Sequence, residues 1–175
     1  TPDGEFLRPH YTWGIYLDDY SSGTTIVGNI VARNVRGGVH VHGGKENVVD
    51  NNLFVDCRYG VSFSPWGQKR WEALLARDTV KRLIFTDVDV RQPPYSRRYP
   101  ELADLGTRAD LNSVWRNVFV NAEEPTFRKP KGTDTWDNLT AAAIPAADTG
   151  AASAFRALPL DEIGTYDDPL RASDK

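Results

Sequence analysis

Short hydrophobic alternations recur along the first part of the chain, each opened by glycine. "GIYLDD" begins at Gly14, "GVHVHG" at Gly38 and "GVSFSP" at Gly60, at spacings of 24 and 22 residues. A second run follows each of them: "TTIVGNIVAR" from Thr24, "NVVDNNLFVD" from Asn47 and, after a long interruption, "NSVWRNVFVN" from Asn112. In that second register Asn29, Asn52 and Asn117 coincide. A period of 22 to 24 residues carrying two or three short β-rich runs, broken by Gly and Asn, predicts coils of a parallel β-helix. A leucine-rich repeat would need its leucine pattern and a helix, and the segments have neither. Asn suits the corners because it tolerates left-handed backbone, and stacked amides hydrogen-bond from coil to coil. Asn29, Asn52 and Asn117 are therefore expected to be structural.

The expected fold is all-β: a right-handed parallel β-helix of about three coils with a helical insertion between coils. Residues 1–175 form one domain, with coils over 12–64 and 111–121, a helical and loop insertion over 65–110 and an irregular C-terminal tail over 122–175. The insertion opens at "SPWGQKRWEALLAR" with a Ser cap and Pro, and Trp71, Leu74 and Leu75 at helical spacing predict a helix from about Trp66 to Ala76. "RQPPYSRRYPELADLG" holds three prolines and should end in a short helical turn. The Ala-rich "LTAAAIPAADTGAASAF" has low complexity.

Strand alternation turns the alignment into surfaces. Ile15, Val39 and Val61 form one inward column, and Leu17, Val41 and Phe63 another. Tyr16, His40, Ser62 and Asp18, His42, Ser64 then face outward. Coils stack roughly 4.8 Å apart, so Asp18 should lie in contact range of His42, with Tyr16 and His40 alongside. An imidazole and a carboxylate can tune one another for acid–base work. The plainer alternative is a strand end beside two histidines on a wet face. Asp18, Asp19, His40 and His42 could also hold a metal, but H-x-H alone is a weak metal pattern, and no metal or cofactor is expected. Arg33, Asp56 and Asn121 share another outward register, where Asp56 is either an ion-pair partner of Arg33 or a second reacting carboxylate. Trp13, Tyr16, Trp66, Trp71, Tyr95 and Tyr99 lie on or beside this face, and flat rings with polar rims suit sugars. Trp71 is better placed as the core of the insertion helix.

Composition narrows the partners. The 175 residues carry a net charge of -3 and are 40% hydrophobic and 26% charged, an ordinary globular balance. No run approaches the ~20 apolar residues of a membrane span, and the negative charge argues against nucleic acid despite a local basic stretch between Lys69 and Arg98. Cys57 is the single cysteine, so no intrachain disulfide framework exists, and its place after "LFV" suggests a buried structural thiol. The chain contains no Met, which fits a mature form or part of something longer.

"WGIYLDDYSSGTTIVGNIV", "GVHVHGGKENVVDNNLFVDC", "RRYPEL" and "IGTYDDPLR" together resemble the C-terminal part of right-handed parallel β-helix glycoside hydrolases, most closely glycoside hydrolase family 141. The resemblance implies hydrolysis of plant cell-wall glycans, as a xylanase or an α-L-fucosidase, by a pair of aspartates. It carries over to Asp18 or Asp19 in "YLDD" and to Asp56 in "FVDC", with Tyr16, His40, His42 and Trp66 as substrate-binding residues. A polysaccharide or oligosaccharide would be the partner, with neither nucleic acid nor membrane, and such an enzyme would be secreted or periplasmic. A polysaccharide lyase on uronate-containing glycans and a non-catalytic glycan-binding β-helix are the alternatives. The family's members have many more coils, so the apolar end at Ile15 and Leu17 should be covered, by "TPDGEFLRPHY" or by a second copy of the chain.

Overall fold

The computed structural model describes residues 3–4 and 11–143. Twelve short strands follow one another as turns of a coil. The first coil is β1 (Trp13–Leu17), β2 (Thr25–Val27) and β3 (Ile30–Ala32), and the second is β4 (Gly37–Val41), β5 (Val48–Asp50) and β6 (Leu53–Val55). The third is β7 (Tyr59–Phe63), β8 (Ser113–Trp115) and β9 (Val118–Val120), and the fourth is β10 (Glu124–Phe127), β11 (Asp134–Trp136) and β12 (Leu139–Ala141). Corresponding strands stack in parallel into three four-stranded sheets, β1-β4-β7-β10, β2-β5-β8-β11 and β3-β6-β9-β12. Crossovers between parallel strands of one sheet take the right hand, and the result is an all-β parallel β-helix.

Four coils stand where about three were expected. The fourth arises from the segment expected to be irregular, whose described part carries β10 to β12, including the start of the Ala-rich stretch at Leu139. The rest of that tail, with "IGTYDDPLR", lies outside the described residues, as does most of the N-terminal segment expected to cover the first coil.

The predicted columns are present. Ile15 pairs with Val39 and Val39 with Val61, while Leu17, Val41 and Phe63 form the next rung. Val39, Val61, Val114, Phe54 and Phe119 are fully buried, and the rings of Phe54 and Phe119 stack 5.2 Å apart at 9°. This stack explains the glycines that open the second and third alternations. A Cβ on Gly38 would sit 2.2 Å from the Phe54 ring, and one on Gly60 would sit 2.1 Å from that of Phe119. Core aromatics from the third sheet occupy the volume that a side chain would need.

Backbone groups at the corners are satisfied by two ladders. Asn52 Nδ2 donates to Asn117 Oδ1 at 3.0 Å, Asn29 Nδ2 donates to Asn52 Oδ1 at 3.0 Å, and Asn117 Nδ2 continues to Asn138 Oδ1 at 3.0 Å. The expected role of Asn29, Asn52 and Asn117 therefore holds, and Asn138 extends it into the fourth coil. A second ladder was not foreseen: Asn47 Oδ1 accepts from the Thr24 amide, and Asn112 Oδ1 from the Asn47 amide, both at 3.0 Å. Cys57 is buried as expected.

The insertion leaves the third coil after Phe63. It contains α1 (Gly67–Leu75), α2 (Asp78–Arg82), a π-helical turn (Leu83–Asp87), α3 (Tyr95–Arg98) and a 3-10 turn (Pro100–Asp104). Its one buried helical side chain is Trp71, whose Nε1 donates to the Leu105 carbonyl at 2.6 Å. The expected serine does not cap α1. Asp110 does so from the far end of the insertion, accepting from the amides of Trp66 at 3.1 Å and Gly67 at 2.6 Å. Lys45 docks the same region onto the coils. Its fully buried ammonium donates to the carbonyls of Asp104 at 2.8 Å and Thr107 at 2.7 Å, while burial lowers its pKa.

Candidate active site

The outward residues of the first sheet converge where its strands end. After β1 the chain turns sharply: the Asp19 amide donates to Asp18 Oδ1 at 2.9 Å, and Ser21 N donates to the Asp18 carbonyl at 3.1 Å. Asp19 and Tyr20 both have positive φ, +23° and +59°, a conformation that bends the backbone out of its alternation. Alternation alone would send Asp19 away from Asp18. The turn brings it back, so both carboxylates reach the same atom: His42 Nδ1 lies 3.0 Å from Asp18 Oδ1 and 3.2 Å from Asp19 Oδ1. Asp19 is thus both a corner residue and part of the cluster.

His42 is positioned from both sides. Its amide donates to the Leu17 carbonyl at 2.9 Å and its carbonyl accepts from Tyr20 N at 3.2 Å. The indole of Trp66 stands edge-on at 5.3 Å between centroids. Gly43, at φ +74°, makes room for it, since a Cβ there would lie 2.9 Å from the indole. Trp66 in turn carries the Arg70 guanidinium 3.3 Å from its centroid and the Tyr20 ring at 3.6 Å. Trp66, expected among the substrate-binding residues, walls the His42 side of the site. With Nδ1 engaged, the His42 Nε2 has no partner among the described residues, which leaves that nitrogen open to a ligand.

His40 lies in the outward register yet is buried, 8% exposed. Trp13 stacks on it at 4.4 Å and Tyr16 tilts over it at 4.9 Å. Ser62 Oγ meets its Nδ1 at 2.5 Å and Ser64 Oγ its Nε2 at 3.3 Å. Desolvation, then the neighbouring His42 and Arg36, hold its pKa down to about 4, so it is a neutral imidazole at neutral pH. Asp18 is lowered as well, which for a carboxylate favours the charged form: the hydrogen bond to His42, then that from the Asp19 amide, keep its carboxyl below the usual range. Burial and the charges of Asp18 and Asp19 raise the Tyr16 phenol.

His40 makes stability sensitive to acid. Its folded pKa lies below its unfolded value of 6.5, so the unfolded chain takes up the proton first and stability falls as pH drops from 6.5 toward 4, by at most about 3 kcal/mol. His40→Gln, which keeps an acceptor and a donor, should flatten that part of the profile. Urea midpoints measured between pH 4 and 7 would show it; parallel profiles for the two proteins would refute the assignment.

The donor atoms of Asp18, Asp19 and His42 lie within 4.8 Å of one another, a grouping from which a divalent cation could take three ligands. His40 stands outside it, because both of its ring nitrogens already serve serines.

Asp56 does not join the cluster. It occupies the corner before β7 with φ +52°, whereas Asp18 follows β1 at the other end of the same sheet, and strands of five residues separate the two ends by roughly 17 Å at ~3.3 Å per residue. Sequence register placed it correctly beside Arg33 and Asn121, which adopt the same left-handed corner. Among the described residues Asp56 has no ion pair with Arg33; its Oδ1 accepts from Asn121 Nδ2 at 3.0 Å.

Beside the cluster a cleft of about 530 Å³ is lined by Tyr11, Trp13, Tyr16, Arg36, His40 and Ser64. Sequence reasoning named Tyr16, His40 and Trp13 on this face but left Arg36 aside, because it precedes β4 and falls outside the alternating column.

Comparison with known proteins reaches the same architecture. Residues 8–70 match the family model described as the right handed beta helix region. No curated protein and no solved structure matches the chain. The β-helix is shared by glycoside hydrolases, lyases and other proteins, and the match supports the fold without extending to glycoside hydrolase family 141.

Proposed function

We propose that the chain acts on a glycan laid along the first three coils and hydrolyses a glycosidic bond at Asp18, Asp19 and His42. The observation that carries this reading is the junction of an aromatic-walled cleft with an imidazole held at one nitrogen by two carboxylates. Asp56 is too far away to be the second acid. Asp18, kept below the ordinary carboxylate range, is ionised and suited to orienting His42 and stabilising its positive charge. His42 in its protonated form then donates from Nε2 to the leaving glycosidic oxygen, while Asp19 takes a proton from the water that attacks the anomeric carbon. Tyr16 and Trp13 offer ring surface to the sugar faces. A chain with this activity on cell-wall polysaccharide would work outside the cytoplasm.

A panel of xylan, pectic and fucosylated oligosaccharides tests the proposal. New reducing ends, or released fucose, are the expected products. Ultraviolet-absorbing unsaturated ends would move the reaction to elimination, and binding with no product from any glycan would leave a recognition module in place of an enzyme.

A further inference from the structure

Arg36, like Arg33 and Arg128, forms no ion pair among the described residues, and it differs from them in lining the cleft. Arg58 pairs with Glu123 at 2.9 Å, and Arg116 holds both oxygens of Asp50. Arg36 lines the cleft with no carboxylate partner among the described residues. Its guanidinium lies instead over two rings, 4.2 Å from the Tyr11 centroid and 5.7 Å from that of Trp13. Stacking occupies the faces of a guanidinium and leaves its in-plane N–H donors directed outward. Those donors form a rigid fork that matches a carboxylate with two parallel hydrogen bonds.

The rest of the cleft does not supply that anion. His40 is neutral and tied to Ser62 and Ser64. Asp18 and Asp19 lie past the far end of β1, engaged with His42. The cleft therefore has a cationic end at Arg36 and an anionic end at the cluster, with Trp13, Tyr16 and His40 between them. We infer that Arg36 anchors the carboxylate of a uronic acid residue, so that the glycan taken by this cleft is acidic. Arg36 precedes β4 while His42 follows it, which places the anchored sugar some distance along the chain from the glycosidic oxygen that His42 protonates. In an eliminating enzyme the cation must instead lie next to the proton-abstracting base. The anchor is thus a specificity determinant remote from the reaction, and it rests on the reading of the cleft as a glycan site.

Calorimetric titration with matched ligand pairs tests the inference. The probes are a short oligogalacturonate and its carboxyl-reduced form, and a glucuronic acid-substituted xylo-oligosaccharide and its carboxyl-reduced form. The unaltered protein should bind the charged member of at least one pair about 10- to 100-fold more tightly, the range for a charge-assisted contact. Arg36→Gln, checked for an unchanged urea midpoint, should bind both members alike, and the preference of the unaltered protein should weaken with added salt. Equal binding within both pairs, or a preference that survives in Arg36→Gln, overturns the acidic-sugar assignment and leaves the glycan site standing. If neither member of either pair binds the unaltered protein, the glycan reading falls together with it.

Discussion

His42→Gln should lower turnover by about 100- to 10,000-fold on whichever glycan the unaltered chain cleaves fastest, the usual loss when a positioned acid–base group is removed. The size follows from the geometry. Nδ1 is engaged by Asp18 at 3.0 Å and Asp19 at 3.2 Å, and Trp66 closes one side of the ring, so Nε2 is held in a fixed direction. Glutamine preserves a polar side chain without an imidazole's capacity to carry and release a proton. Asp18→Asn should do less, because Asp19 still reaches the same nitrogen, and the double variant Asp18→Asn, Asp19→Asn should approach the His42 loss. Such non-additivity is expected of groups acting as a unit. All three side chains lie at the surface or near it, so folding should be unaffected and kcat can be compared directly. Turnover by His42→Gln within a few-fold of the parent would remove the cluster from the reaction.

The largest stability effect is expected at Asn52. Its side chain is fully buried and serves several partners. Nδ2 donates to the carbonyl of Ile26 at 3.0 Å and to Asn117 Oδ1, and Oδ1 accepts from the Asn29 amide at 2.9 Å. Asn52→Leu fills a similar volume but orphans the Ile26 carbonyl and the Asn29 amide, at about 1–3 kcal/mol each. A loss of about 2–6 kcal/mol is a large part of the 5–15 kcal/mol typical of a folded domain. Asn29, at the exposed end of the ladder, donates to Asn52 and to the Val27 carbonyl, so Asn29→Leu should cost clearly less. Urea midpoints decide it: equal shifts for the two variants would show that the ladder does not stabilise through buried partners.

Those residues also show how far the chain's own letters went. The inward columns were legible because "GVHV" and "GVSF" alternate strictly, and parallel stacking preserves register from coil to coil. The fourth coil escaped because Pro125 stands where earlier coils have glycine and β11 is exposed throughout. Asn138, in register with Asn117 through Asn138 Oδ1, was the surviving signal. Alignment placed Asp56 correctly in its register but said nothing about which end of the sheet that register occupies. The contact of Asp19 with His42 was hidden for a different reason. Alternation describes extended backbone, and the positive φ at Asp19 and Tyr20 is a local turn that no periodicity contains.

The insertion illustrates a freedom built into a stacked coil. It departs after Phe63 and returns at Ser113, yet β7 keeps its register with β4 and β8 keeps its register with β5. Asp110, closing on the amides of Trp66 and Gly67, brings the two ends of the excursion together like a clasp. Lineages could therefore lengthen, shorten or replace the excursion without disturbing the rungs. Because Trp66 stands at its root against His42, each replacement would re-sculpt the wall of the cluster while leaving Asp18 and His42 in place. A corner of this kind lets recognition evolve separately from the scaffold and from the reacting groups.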